Sequence, residues 1–334
     1  MAQFDLYGLG NALVDTEYHV SDDLLKALGV EKGMMTLIDD ARLAALEEEL
    51  RDRGELKKQA SGGSAANSMI AAANFGSKVF YSCKVADDEL GRFYHKDLVD
   101  SGVTTNLDQT LEPGTTGRCL VMVTEDAERS MNTFLGITVD LGSNEIDEVS
   151  LKVSNILYIE GYLASSEKAR EAAVRAHQVA KDAGIQVALT FSDPAMVTYY
   201  KDQMSQMVGD GVDLLFCNEQ EAITWTGENS IEGALNALSK TATRWVCTRG
   251  KDGASVFDGA QRFEVPGRSV TPVDTNGAGD MFAGAFLYGL SSGWGFEKSA
   301  RFWVHASGYL VTQHGPRLGL ASHAVLLEEF EATQ

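Results

Sequence analysis

Short runs of aliphatic and β-branched residues alternate along the chain with stretches whose apolar positions recur every three or four residues. Lys78 to Val85, Asn155 to Ile159, Ile185 to Leu189, Asp213 to Phe216 and Arg244 to Thr248 have the length and continuous apolarity of buried strands. Asp87 to Asp100, Ser166 to Asp182, Met196 to Met207 and Ile231 to Ser239 carry the helical period, and Gly184 is placed to stop the second of these. Alternation at this spacing implies right-handed crossovers. It predicts an α/β fold, a doubly wound, mostly parallel sheet covered on both faces. From Gly277 onward the pattern is helical: Ala278 to Leu290, Phe296 to Thr312, then His323 to Phe330.

Two stretches break the alternation. Phe4 to Leu9, Leu13 to Val20 and Met34 to Ile38 read as strands with little helix between them. Gly117 to Thr124 and Arg129 to Phe134 read as a hairpin around Glu125-Asp126-Ala127-Glu128. These segments are expected to combine into a small β-sheet, 11–38 and 111–138, beside an α/β body of 1–10, 39–110 and 139–334. Such a sheet serves either as a lid excluding water from a cleft or as a dimerisation extension.

The chain has 334 residues, 44% hydrophobic and 23% charged, which suits a large folded core rather than disorder. Its 28 basic and 48 acidic residues leave a net charge of −20. Such a surface repels phosphate backbones and anionic membranes, so nucleic acid and membrane are not expected partners. No apolar run approaches the roughly 18 residues of a membrane span, and Met1 to Val20 lacks a signal-peptide layout. The scattered Cys83, Cys119, Cys217 and Cys247 are expected to be free thiols in a reducing cytoplasm. The histidines show no metal-binding spacing.

The chemistry concentrates in Val273-Asp274-Thr275-Asn276-Gly277-Ala278-Gly279-Asp280-Met281-Phe282. Small residues let a ligand approach the backbone, and the amides of Gly277, Ala278 and Gly279 at a helix start form an anion hole strengthened by the helix dipole. Asp280, in the first turn, lies within reach of whatever approaches that anion. Amides that hold developing charge beside an acid that accepts a hydroxyl proton are what phosphoryl transfer to an alcohol needs. The plainer reading is an acid complementing the helix dipole. A second glycine pair, Gly62-Gly63, precedes a helix whose first turn carries Asn67, with Ser64 either its cap or a polar hook. Asp15, in an apolar strand-like stretch, needs a partner if buried, either a ligand diol or a lid amide.

Asn218 and Glu221 follow a strand at the edge where open α/β sheets bind ligands; they form either a capped helix start or a holder for hydrated Mg²⁺. Thr248 and Gly250 open a glycine turn, a hairpin loop or a wall for a nucleotide phosphate. Gly8-x-Gly10 lacks the third glycine of a dinucleotide fingerprint, since position 13 is Leu13, and no P-loop occurs.

Taken together, Gly62-Gly63, Asn218-x-x-Glu221, Thr248-x-Gly250 and Asp274-Thr275-x-Gly277-Ala278-Gly279-Asp280 resemble, in order and spacing, the ribokinase-like (PfkB) sugar and nucleoside kinases. The resemblance runs from Phe4 to Phe330 and is greatest to the adenosine kinases within that family. It implies an ATP-dependent kinase acting on the 5′-hydroxyl of a purine nucleoside, with a sugar kinase acting on ribose, fructose or a keto-sugar acid as the alternative. By resemblance Asp15, Gly62, Gly63 and Asn67 hold the ribose, and Asp280 is the base. Asn218, Thr248, Gly250, Asn276, Gly277 and Gly279 bind ATP, while Glu221 with Asn218 organises Mg²⁺. Leu13, Leu37, Tyr162 and Leu163 fall where the family stacks its base, although core packing explains them equally. K⁺ beside the anion hole is an expectation without assigned residues. Arg118 and Arg129 either neutralise transferred phosphate or face solvent. The resemblance suits a monomer or a homodimer.

Overall fold

The computed structural model describes residues 2–126, 128–275 and 277–333. Its main sheet has nine strands in the order β14-β13-β12-β11-β10-β9-β1-β5-β6. These are β1 (Phe4–Leu9), β5 (Val79–Ser82), β6 (Val103–Thr104), β9 (Ser154–Glu160), β10 (Gln186–Thr190), β11 (Val212–Asn218), β12 (Ala242–Thr248), β13 (Gly253–Phe257) and β14 (Arg262–Pro266). From β6 to β12 all pairs are parallel, and the antiparallel β12-β13-β14 meander closes one edge. Both faces of the parallel strands are buried. Leu214, Phe216 and Val246 join the core under the helices Ser64–Phe75, Ala278–Ser291 and Phe296–Leu310. Leu215, Cys217, Trp245 and Cys247 face the opposite core, with the helix Glu167–Asp182. Two-sided burial is why these strands read as continuous apolar runs.

A second sheet has the order β3-β8-β7-β2-β4, built from β2 (Leu13–His19), β3 (Met35–Leu37), β4 (Glu55–Gly62), β7 (Gly117–Val123) and β8 (Arg129–Phe134). Its outer face packs Leu120 and Met122 against Leu43, Leu46 and Leu50 of the helix Asp40–Arg53 and against Leu24 and Leu25 of the helix Asp22–Ala27. β4 was expected within the body but pairs antiparallel with β2 here. Its first five residues are exposed. A polar, exposed edge strand has no apolar alternation to betray it.

The expected helix over Met196 to Met207 is two, Pro194–Tyr199 and Lys201–Val208, because Tyr200 leaves helical geometry at φ −125°. The four cysteines are free and buried. No helix among the described residues is long and apolar enough to cross a membrane.

Candidate active site

The cleft forms where the carboxyl ends of the parallel strands meet the inner face of the smaller sheet. Its centre depends on two helices crossing closely. At Gly284 a Cβ would collide with the Ser68 carbonyl oxygen, so only glycine lets the Ala278–Ser291 helix approach the Ser64–Phe75 helix this tightly. Their N-terminal turns are thereby brought together. The Ser64 hydroxyl donates to Asp280 Oδ1 at 2.6 Å, and Asn67 Nδ2 donates to Asp280 Oδ2 at 3.0 Å. Ser64 therefore does not cap its helix; that position is Gly63, which lacks a side-chain cap bond. Burial pushes Asp280 up to about 6, with the Ser64 and Asn67 bonds opposing it. Asn67 Oδ1 is buried with no hydrogen-bond partner among the described residues, an acceptor available to a ligand hydroxyl.

The glycine loop has the geometry an anion site needs. Gly277 holds φ +73°, and a Cβ there would collide with the Pro316 carbonyl oxygen, whereas a Cβ at Gly279 would meet nothing within 4 Å. Ala278 turns its N–H back to the Thr275 carbonyl at 3.3 Å, so its amide is already partly used. Asn276 lies outside the described residues. Beside the loop is a cavity of about 320 Å³ lined by Thr248, Gly250, Arg268, Gly279, Phe282 and Trp303. The Thr248–Gly253 turn is thus a hairpin loop, between β12 and β13, and also a wall of this cavity.

On the other side of Asp280 the inner face of the smaller sheet carries Asp15. Its cross-strand neighbours form the row Leu37, Thr133, Cys119, Asp15 and Ala60. A Cβ at Gly62 would collide with the Asp15 carboxyl, and one at Gly63, at φ +103°, with the Asn11 carbonyl. The glycine pair is where the carboxylate and the chain crowd together. Burial pushes Asp15 up to about 7, and it accepts no hydrogen bond from the described residues. Tyr162 is half-buried, with its hydroxyl raised by burial and by Asp193, Glu160 and Asp280 nearby. Leu37 is 56% exposed on the same inner face, but Leu163 is fully buried in the main core and reaches no ligand.

Four of the singled-out residues make contacts that decide between their alternative readings. Glu221 and Asn218 form a reciprocal helix cap: Glu221 Oε2 accepts the Asn218 N–H at 2.8 Å and Oε1 accepts Nδ2 at 3.0 Å, while Asn218 Oδ1 accepts the Glu221 N–H at 2.8 Å. Burial pushes Glu221 up to about 7. With both oxygens committed, and no cluster of three metal-ligating side chains among the described residues, the donors do not fit an inner-sphere, protein-held Mg²⁺. Arg118 points to the outer face, where it pairs with Glu47 at 2.6 Å, and so lies away from the cleft. Arg129 lies on the inner face and ion-pairs with Asp274.

The residue that sequence reasoning missed is Glu160, 1% exposed at the end of β9. It accepts the Ala65 N–H at 2.8 Å and Asn11 Nδ2 at 2.9 Å, and burial pushes it up to about 7. A carboxylate closing an otherwise apolar strand, Tyr158-Ile159-Glu160-Gly161, was the available signal.

With this geometry in place, comparison with known proteins is informative. Residues 33–322 match the pfkB family carbohydrate kinases. The fold superposes on the crystal structure of adenosine kinase from Sinorhizobium meliloti with a TM-score of 0.87 and 34% identity, covering 98% of this chain and 100% of that one. Ribokinase of Haemophilus influenzae is 25% identical over 288 residues, 83% of this chain and 90% of that protein. Guanosine-inosine kinase of Escherichia coli K12 is 28% identical over 257 residues, 74% of this chain but only 58% of that longer protein.

Proposed function

The chain belongs to the pfkB family of carbohydrate and nucleoside kinases, phosphotransferases with a hydroxyl acceptor, and on that premise we propose that it transfers the γ-phosphoryl group of MgATP to the 5′-hydroxyl of a purine nucleoside, adenosine foremost. MgATP occupies the 320 Å³ cavity beside the glycine loop. Asp15 and Asn67 Oδ1 accept the ribose hydroxyls. The 5′-oxygen attacks the γ-phosphorus as its proton passes to Asp280, the bridging P–O bond breaks, and ADP leaves. The Gly277 to Gly279 segment holds the charge that develops. The smaller sheet acts as a lid, and Arg129 turns from Asp274 to the phosphoryl oxygens. Magnesium arrives as part of MgATP, with Glu221 acting only through water. Arg129 is the cation paired with Asp274 before it turns, and no step of this reading runs through K⁺.

One observation carries this reading. Apolar side chains flank Asp15 on the lid face, where Leu13, Leu37, Cys119, Val121 and Met131 share their rows with Thr133 and Glu17. A flat base matches such a surface, whereas a free sugar has hydroxyls all round and leaves them unpaired there. The second reading, a sugar kinase of the same family, is favoured by the likeness to ribokinase of Haemophilus influenzae. ATP consumption with adenosine, inosine, guanosine, ribose, fructose and a keto-sugar acid separates them. Adenosine is expected to give the highest kcat/KM, with equal rates in K⁺ and tetramethylammonium salts; ribose exceeding every nucleoside would transfer the assignment to the second reading.

A further inference from the structure

β4 is an edge strand of the smaller sheet, paired only with β2 among the described residues. Along it Ala60 lies opposite Asp15 and Lys58 opposite Glu17, so Lys58 shares the inner face with Asp15. Its neighbour Lys57 pairs with Glu55 at the rim. Lys58 instead reaches across the cleft to the body. A Cβ placed on Gly315 would stand 3.4 Å from Lys58 Nζ, so the ammonium rests against that glycine, which is buried. Gly315 adjoins the glycine loop in two ways. Its N–H donates to Asp274 Oδ2 at 2.7 Å, and the carbonyl oxygen of the next residue, Pro316, would be 2.3 Å from a Cβ on Gly277. The Lys58 ammonium is therefore held at the rim of the loop that borders the cavity of about 320 Å³.

The smaller sheet thus brings two cations to this loop, and they differ in what holds them. Arg129 is committed to Asp274 and shares Glu17 at 3.4 Å. Lys58 makes no ion pair or hydrogen bond among the described residues; the Glu17 carboxylate opposite it is taken by Arg129 and, at 3.9 Å, by His19. An arriving phosphate must part Arg129 from a nearly buried carboxylate, but it displaces only water from Lys58. In a chain of net charge −20, an ammonium left to water beside a glycine loop favours an anion there. A compact charge on a flexible stem suits phosphate oxygens without demanding one geometry.

We propose that Lys58 is a further binding residue for the phosphoryl donor, an ammonium from the smaller sheet that engages the donor's polyphosphate oxygens. This rests on the proposed function only in that the glycine loop receives a nucleoside triphosphate; the identity of the acceptor does not enter.

The test titrates the acceptor-free protein calorimetrically with MgATP and with magnesium tripolyphosphate, at low and at physiological salt. It compares wild type, Lys58→Met, Lys58→Arg and Lys57→Met. Lys58→Met should weaken both ligands by the same factor, about five- to tenfold, because the lost contact is to phosphate and not to the base. That factor should shrink as salt rises. Lys58→Arg should stay within about twofold of wild type, since it keeps the charge at nearly the same reach. Lys57→Met should bind as wild type, because Glu55 holds that ammonium at the rim. Unchanged affinity in Lys58→Met, or a loss for MgATP without one for tripolyphosphate, would overturn the proposal. An equal loss in Lys57→Met would reduce it to the general field of the surface. A loss that arginine does not restore would show that Lys58 only braces the sheet against Gly315. Neither titration involves an acceptor, so a wild type that phosphorylates no nucleoside would overturn the proposed function and leave this one standing.

Discussion

Arg129, on strand β8 of the smaller sheet, holds the carboxylate of Asp274, which heads the loop into the Ala278–Ser291 helix. The Gly315 N–H donates to the same Asp274 oxygen at 2.7 Å, and Glu17 shares the guanidinium at 3.4 Å. Residues 145 positions apart therefore tie the smaller sheet to the glycine loop directly.

This pair is nearly buried, so Arg129→Ala removes the countercharge from a buried carboxylate and should cost about 3–5 kcal/mol, read by denaturant unfolding. Arg129→Ala combined with Asp274→Asn should recover much of that stability without recovering kcat, since the phosphate loses its arginine in both variants. Arg118→Ala is the control. Its ion pair with Glu47 is part-exposed on the outer face, so it should cost about 1 kcal/mol or less and leave kcat unaltered. Loss of activity in Arg118→Ala alone would contradict the assigned orientation of the sheet.

Asp280→Asn should lower kcat by about 10²–10⁴-fold with little change in Tm, because the asparagine keeps the shape between Ser64 and Asn67. The base acts only when deprotonated. With Asp280 near 6, kcat in the wild type should fall as pH drops through about 6, one decade per pH unit below it. A kcat that holds level from pH 7 to pH 5 would remove Asp280 from the base role.

Gly277→Ala and Gly279→Ala should diverge. At Gly277 a side chain must adopt φ +73° and meet the Pro316 backbone, a strain of roughly 1–3 kcal/mol or more, visible as a lower Tm. At Gly279 nothing obstructs a methyl group, so Tm should hold while the KM for ATP rises as the methyl occupies the cavity.

Stability should fall, not rise, between pH 5 and pH 9. Asp15, Glu160 and Glu221 are each raised to about 7 by burial, above their unfolded values near 4. The folded protein binds protons there that the unfolded chain releases. The stabilisation they give is full below the unfolded value and is lost as pH rises through about 7. Thermal unfolding across that range should show Tm declining, and Asp15→Asn should flatten the decline and raise Tm at pH 8. A flat wild-type profile would mean that these carboxylates are better solvated than their burial implies.

Much of this was legible beforehand for a local reason. Continuous apolar runs separated by helical period mark parallel strands because such strands are buried on both faces, as Leu214 to Cys217 are. Gly277, Gly279 and Asp280 are consecutive, so their joint chemistry is written within a single turn. β4 escaped because its residues are charged and exposed along most of its length. The capping box with Asn218 engages both Glu221 oxygens, so the hydrated Mg²⁺ expected at this pair would be held there only through water.

By itself the amino-acid order determined the layering of the body, the glycine loop with its aspartate, and the existence of a separate small sheet. Tertiary structure alone decided what surrounds that aspartate. Ser64 and Asn67 reach Asp280 across 216 and 213 residues, and Arg317 reaches Ser61 across 256. Periodicity reports which face of an element is apolar, not which distant element will press against it. Here that outcome turned on a close helix crossing at Gly284, which draws two N-terminal turns together and makes one site of them.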